Sequence, residues 1–214
     1  MEIEVKYALP SEETTDAIWS DKKLLEISDA ASSEVLPFCA VYYDTEDRAL
    51  STAKLTLRVR SEGAETFATM KWGGSSRKGL HKRQEVNVQV DPKTRAIPAD
   101  PAFGIQPDIS WFSDTEVGGK LSELCAGKKL VPAVTMRFTR RRRRVFFEGN
   151  TLELALDCGE MTGAKGSLPI LEMELEHCEG PDPESVKKLG DELAAKYGLF
   201  PENRSKYSRG RTLV

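Results

Sequence analysis

Several things are scarce in this chain of 214 residues, and each scarcity removes a class of function. No apolar run approaches the roughly 18 residues that a membrane span requires, and the first residues lack the basic-then-apolar pattern of a signal peptide. The histidines, His81 and His177, and the cysteines, Cys39, Cys125, Cys158 and Cys178, fall at no metal-ligand spacing, and no C-x-x-C pair occurs. That argues against a zinc site or a disulfide framework and leads us to expect free thiols in a reducing cytoplasm. Net charge is nearly absent as well. Lys+Arg number 31 against 34 Asp+Glu, a formal charge of -3, so nothing draws the whole chain to nucleic acid or to an anionic membrane. Aromatic residues make up 7%, and Trp19, Trp72 and Trp111 are too dispersed to form a base-stacking platform; they are read as packing residues. Repeats and low-complexity tracts are also missing.

What is present is charge sorted into stripes. Met1-Glu2-Ile3-Glu4-Val5-Lys6 reads as a strand with Glu2, Glu4 and Lys6 on one face and Ile3, Val5 and Tyr7 on the other. Glu172-Met173-Glu174-Leu175-Glu176 repeats the acidic pattern far along the chain, and basic strands lie between: Leu57-Arg58-Val59-Arg60, Thr69-Met70-Lys71 and the mixed Arg83-Gln84-Glu85. A solvated sheet face usually mixes its signs, because like charges at i and i+2, about 7 Å apart, repel by roughly 0.6 kcal/mol in water and by more in a less polar site. Segregated charge of this kind calls for a ligand. Carboxylates from separate strands suit Mg²⁺ or Mn²⁺, and clustered Arg and Lys suit phosphate oxygens.

In chain order, Ser11 caps a short helix running to Trp19; strands follow at Pro37–Tyr43 and Ala53–Ser61, Asp44 to Asp47 forming a polar turn. Thr66–Trp72 returns as a hairpin partner, Gly73–Gly79 is a flexible basic loop, and His81 begins a strand ending at Asp91-Pro92. The stretch 93–132 holds Pro98, Pro101, Pro107 and Pro132 with one short helix over Thr115–Ala126; too poor in apolar residues for its own core, it reads as an insertion within one domain covering 1–214. Strands resume at Val134–Phe147, at Leu152–Asp157 after the tight turn Glu148-Gly149-Asn150, and at Pro169–Cys178. Asp182-Pro183 opens a helix with Val186, Leu189, Leu193 and Tyr197 on one face and Gly198 as terminator. About eight strands joined by hairpins give an α+β fold, mainly β. Either a sheet packed on helices or an antiparallel barrel with its charges inside would satisfy the pattern.

Glu2-x-Glu4-x-Lys6 resembles the E-x-E-x-K signature of the CYTH superfamily, the triphosphate tunnel metalloenzymes. Tyr42-Tyr43-Asp44-Thr45, Leu57-Arg58-Val59-Arg60, Thr69-Met70-Lys71, Arg83-Gln84-Glu85, Asp157, Glu172-x-Glu174-x-Glu176 and Ser205-Lys206 follow in the family's order. Gly79 through Glu85 and Leu154 through Glu160 look most like the bacterial inorganic triphosphatase branch. The resemblance implies an eight-stranded antiparallel β-barrel tunnel with peripheral helices, in which Glu2, Glu4, Asp157, Glu172 and Glu174 hold Mg²⁺ or Mn²⁺. Lys6, Arg58, Arg60, Lys71, Arg83 and Lys206 would grip the triphosphate, with Glu85 orienting them and Glu2, Glu172 and Lys206 activating water. The implied partner is inorganic triphosphate or another triphosphate-containing small molecule, with neither membrane nor nucleic acid expected.

The family also places a phosphate-binding arginine on the sixth strand, where Arg137 and Arg140 through Arg144 compete. Alternation puts Arg140, Arg142 and Arg144 on one face, and the distance to Asp157 selects Arg140; the remainder reads as a solvated basic edge. His81 shares the Arg83 face, either touching phosphate or supporting it, and His177 is structural. Gly73-Gly74-Ser75-Ser76 lacks the Lys-Ser/Thr ending of a P-loop and is read as a mobile flap over a tunnel mouth. The expected activity is metal-dependent hydrolysis of the terminal phosphate of a short linear polyphosphate. The rivals are an adenylate cyclase or a thiamine or nucleoside triphosphatase on the same fold, and a non-catalytic polyphosphate-binding module.

Overall fold

A sheet with one charged and one apolar face must either show the charged face to water or enclose it. The computed structural model, which describes residues 1–90 and 107–214, adopts the second solution. Strands β1 (Glu2–Ala8), β2 (Glu34–Thr45), β3 (Thr56–Glu62), β4 (Glu65–Arg77), β5 (Leu80–Gln89), β6 (Leu130–Phe147), β7 (Asn150–Gly163) and β8 (Gly166–Glu179) pair in the order β5-β4-β3-β2-β6-β7-β8-β1. β1 then pairs with β5, and the barrel closes with every pairing antiparallel. A two-residue strand, β9 (Phe200–Pro201), takes up the edge of β1 at Tyr7 and Ala8, beyond the reach of β5.

Helices cover the apolar outer face. Helix α5 (Ser185–Tyr197) lays Val186, Leu189 and Leu193 into one cluster with Val5, Tyr7, Leu154 and Leu175, to which α1 (Glu12–Trp19) and α2 (Lys22–Glu26) add Ile18 and Leu24. The first backbone amides of α1 and α2 lack acceptors within the helix, and Ser11 and Asp21 supply them by accepting from the Thr14 and Leu24 amides. On the other flank, α3 (Ala49–Thr52) and α4 (Gly118–Cys125) bring Leu50 and Leu121 onto Val41, Leu57 and Met70. Helix α6 (Lys206–Gly210) packs at one end of the barrel, where Tyr207 and the following Leu213 meet Val134, Met136, Met161 and Ile170.

The structure alters several expectations. β2 extends into the first half of the expected turn, to Thr45, leaving the turn itself at Glu46 and Asp47, and buried Asp44 accepts from the Thr45, Leu50 and Ser51 amides and so caps α3. The expected flap is a hairpin tip: β4 continues to Arg77, with a register shift between Trp72 and Ser75. Gly74 makes that shift feasible, at φ +106 with its would-be Cβ only 2.2 Å from the Lys82 carbonyl. Asn203 fastens the tip, accepting from Ser76 Oγ at 2.8 Å and from the Gly79 amide at 2.9 Å. The insertion expected at 93–132 lies partly outside the described residues, and its last part, from Leu130, belongs to β6.

The basic edge is also corrected. Arg143 is 2% exposed and stacks on the Trp19 ring, 3.5 Å from its centroid, while Arg141 pairs with Asp16 at 2.6 Å. Arg141 and Arg143 therefore anchor α1 to the outside of β6.

Two glycines in helices should respond oppositely to alanine. Buried Gly190 in α5 would place a Cβ 2.8 to 3.0 Å from Tyr7 and Val5, so Gly190→Ala is expected to destabilise by about 1–3 kcal/mol. Exposed Gly119 in α4 has open space around it, and Gly119→Ala should stabilise by about 0.5–1 kcal/mol. Urea unfolding of both variants checks this, and a more stable Gly190→Ala protein would refute the packing argument.

Candidate active site

Inside the barrel lies a cavity of about 160 Å³. Cross-strand register decides which charges meet there. Lys6 stands opposite Glu174 and Glu4 opposite Glu176 across β1 and β8; Asp157 faces Glu172 across β7 and β8, and Arg140 faces Asp157 across β6 and β7. All the residues proposed from sequence line the cavity except Asp157 and Glu172, which are fully buried behind it and reach it through Lys206.

The charges form two groups. Around β3, β4 and β5, Lys71 donates to Glu2 at 2.6 Å and pairs with Glu85 at 2.6 Å, Arg60 lies 3.9 Å from Glu85, and Arg58 donates to the Tyr42 hydroxyl at 3.3 Å. Burial opposes ionisation of Glu85, yet Lys71 and Arg58 outweigh it and hold the carboxyl below its usual range. Arg60 goes the other way: burial and neighbouring Arg58 bring it down to about 10. Arg83 is steadied from behind, by an imidazole nitrogen of His81 at 3.0 Å whose other nitrogen lies 2.9 Å from the Glu202 carbonyl. A guanidinium only donates and a carbonyl only accepts, so His81 must be the neutral Nε2–H tautomer. His81 thus supports Arg83.

The second group gathers Asp157, Glu172 and Glu174, one oxygen of each lying within 4.8 Å of the others. Arg140 grips Asp157 with two hydrogen bonds of 2.8 and 2.7 Å and reaches Glu174 at 2.8 Å; Lys206 lies 2.7 Å from Asp157 and 2.9 Å from Glu174 and also pairs with Glu172. Arg209 holds Glu172, and Lys6 joins Glu174 to Glu4, 3.0 Å from the latter. Burial opposes the charges of Glu174 and Asp157, but Lys206, Lys6 and Arg140 keep Glu174 well below the carboxylate range, and Arg140 with Lys206 lowers Asp157. Sequence reading missed Arg209, which lies one helical turn after Lys206, and Glu153, in phase with Asp157 on its strand; Glu176 stood in the acidic stripe but was given no role.

Not every carboxylate is compensated. Glu2 Oε2 and Glu4 Oε1 are buried and accept no hydrogen bond, with Arg83 no nearer than 3.6 and 3.7 Å. Glu176 makes no ion pair among the described residues; burial, Glu2 and Glu4 push it up to about 8. Burial and Glu4 raise Glu2 as well. Unsatisfied buried carboxylate oxygens beside an all-oxygen triad fit a hard divalent ion such as Mg²⁺ or Mn²⁺.

Glu176 gives the site a pH signature. Between the ordinary value of 4.5 and about 8, the folded chain keeps a proton that the unfolded chain releases, so stability falls as pH rises through that window. Glu176→Gln removes the effect. Measured in EDTA, its melting temperature should exceed that of wild type by a margin that grows from about pH 5 to about pH 8.5; a margin independent of pH would contradict the environment described.

Comparison with known proteins bears on this geometry. An inorganic triphosphatase of Haemophilus influenzae is 28% identical over 172 residues, covering 80% of this chain but 44% of that protein, so the chain spans less than half its relative's length. HpAC1 from Hippeastrum, a proposed adenylyl cyclase described as having a dominant triphosphatase activity, superposes with a TM-score of 0.68 at 21% identity, over 99% of this chain and 96% of that one. PH1819 from Pyrococcus horikoshii OT3 gives 0.55 at 20% identity, over 98% and 97%. At such identities the likeness is one of fold. The CYTH domain, as a family, matches residues 1–210, which is nearly the whole chain, and the chain therefore belongs to the CYTH family.

Proposed function

We propose that this protein hydrolyses the terminal phosphate of inorganic triphosphate or a similarly short polyphosphate, with Mg²⁺ or Mn²⁺ held by Glu2, Glu4, Asp157, Glu172 and Glu174. The observation that carries the reading is a cavity inside the barrel in which Lys6, Arg58, Arg60, Lys71 and Arg83 face the same space as buried, partly unsatisfied carboxylates. A pure polyanion binder gains nothing from those acids. The divalent ion, when bound, supplies charge neutralisation for phosphate oxygens and makes water more acidic.

The chain's own groups do the rest. Arg58, Arg60, Lys71, Arg83 and Lys6 hold the phosphate oxygens, with Glu85 keeping Lys71 and Arg60 in place and His81 keeping Arg83 in place. Arg140 completes the set on β6. Of the acids proposed to act on water, Glu2 faces the cavity with an oxygen free of hydrogen bonds, and its raised pKa suits a proton acceptor. Water attacks the terminal phosphorus in line, the bond from that phosphorus to the bridging oxygen breaks, diphosphate leaves, and the water's proton passes to Glu2. Glu172, held by Lys206 and Arg209 behind the cavity, serves the metal set.

Against a nucleotide substrate stands the aromatic part of the lumen wall. Phe38 and Phe138 stack on each other at 4.4 Å, and Arg140 and Lys206 lie over these rings at 5.2 to 5.7 Å, so their faces are already taken. That favours an all-phosphate substrate over adenylate cyclisation. Unpaired thiols at all four cysteines fit a reducing cytoplasm, and no helix among the described residues is long and apolar enough to cross a membrane.

Phosphate release from inorganic triphosphate, ATP and thiamine triphosphate, each with Mg²⁺, Mn²⁺ or EDTA, tests the reading. Release should depend on metal, be fastest on inorganic triphosphate, and fall by about 100-fold or more in Glu4→Gln. Tight polyphosphate binding without any release would make the protein a binding module instead.

A further inference from the structure

Lys206 has two incompatible tasks. Its ammonium donates to Glu174 at 2.9 Å, lies 2.7 Å from Asp157 and pairs closely with Glu172. In that position its charge is committed to three carboxylates and turned away from a phosphate oxygen. It also stands among three carboxylate oxygens that all lie within 4.8 Å of one another, the place where a single hard cation would be held.

We propose that Lys206 is a resident competitor for the divalent ion: its ammonium occupies the Asp157–Glu172–Glu174 seat in the empty enzyme and leaves it for the substrate's phosphate oxygens when the ion binds there. This deepens the metal-dependent triphosphatase reading and rests on it. Charge bookkeeping requires a departure. Three carboxylates are already met by Lys206, Arg140, Arg209 and Lys6, so a further double charge is favourable only if a cation withdraws.

Lys206 is the cation able to go. Arg140 is locked by its two bonds to Asp157 and by the rings of Phe38 and Phe138. Lys6 is fixed within β1 and also serves Glu4, and Arg209 touches only Glu172 of the triad. Lys206, alone among the described cations, contacts all three carboxylates and also lines the cavity. Its backbone is held while its side chain swings. Ser205 caps α6 by accepting from the Ser208 amide at 3.1 Å, and the preceding segment is tied by the Glu202 amide to the Lys6 carbonyl at 2.9 Å and by Asn203 to the hairpin tip. A lysine's four-carbon stem allows its charge to move without moving the helix.

The consequence is positive coupling between metal and polyphosphate, because each removes an obstacle to the other. Electron paramagnetic resonance of free Mn²⁺ measures it directly, with the full chain and with imidodiphosphate as a non-hydrolysable polyphosphate. Lys206→Met, shown folded by circular dichroism, should bind Mn²⁺ alone about tenfold tighter than wild type. Imidodiphosphate should tighten Mn²⁺ binding in wild type and do so much less in the variant. Equal Mn²⁺ affinity in the two proteins would overturn the lysine's role while leaving the metal reading intact; no Mn²⁺ binding by either would overturn both. Should the variant not fold, acetic anhydride labelling of wild type decides: Mn²⁺ should increase modification of Lys206 read by mass spectrometry, and unchanged labelling would refute the displacement.

Discussion

A buried charge persists only beside its opposite, and closure of β1 onto β8 and β5 places opposite charges within reach. Lys6 meets Glu174 because the register of β1 against β8 sets them opposite each other, and Glu2 meets Lys71 because β5 and β4 follow on the other side. Shifting β1 by one residue would turn Ile3, Val5 and Tyr7 into the lumen and strand Glu4 and Lys6 against α5. The apolar contact of Val5 and Tyr7 with Leu189 and Leu193 therefore fixes the register that the ion pairs require. Outer packing and inner charge are one constraint read from two sides.

Such an interior contributes little to net stability. Desolvating two ions costs several kcal/mol each, and their attraction does little more than offset that penalty. The barrel is held instead by its hydrogen-bonded closure and by the clusters beneath α5, beneath α4 and around Tyr207. The lumen network can then be rearranged without unfolding the shell. A binding site made of ion pairs that sum to little is one in which a polyanion and a cation can replace protein partners at modest cost.

Much of this was readable in the sequence, for specific reasons. Period-2 alternation survives where a strand has one apolar and one charged face, so β1, β3 and β8 declared both their existence and their facing. The tight turn at Glu148-Gly149 fixes the register of β6 on β7, which is why, once the family resemblance pointed to an arginine on that strand, the distance to Asp157 could select Arg140. Other features depend on chain segments that arrive from elsewhere. Nothing near Arg143 announces that Trp19 will cover it, and nothing near Gly73 announces that Asn203 will pin the hairpin. Asp44 and Thr45 look like turn residues, because a carboxylate that caps a following helix has the same local chemistry as one that starts a turn. Arg209 was hidden because its partner, Glu172, comes from a strand and α6 is a single short turn with no periodicity to read.

The cavity's chemistry also follows from the length of its side chains. Lysine, arginine and glutamate reach inward on flexible stems, so the same residues can satisfy one another across an empty lumen or turn to a guest. Carboxylates compensated by several cations, as at Glu174, resist a change of partner less than their depressed pKa suggests, because any one cation can leave while others remain. Glu2 and Glu4 each have one close cation and Arg83 farther off, and each keeps an oxygen with no hydrogen bond. The lumen is thus divided between an acidic end under α6 that several cations meet and an end at the start of β1 that keeps unsatisfied oxygens, and a ligand carrying both signs, a polyanion with its divalent ion, is the species that can relieve the second while accepting a cation released from the first.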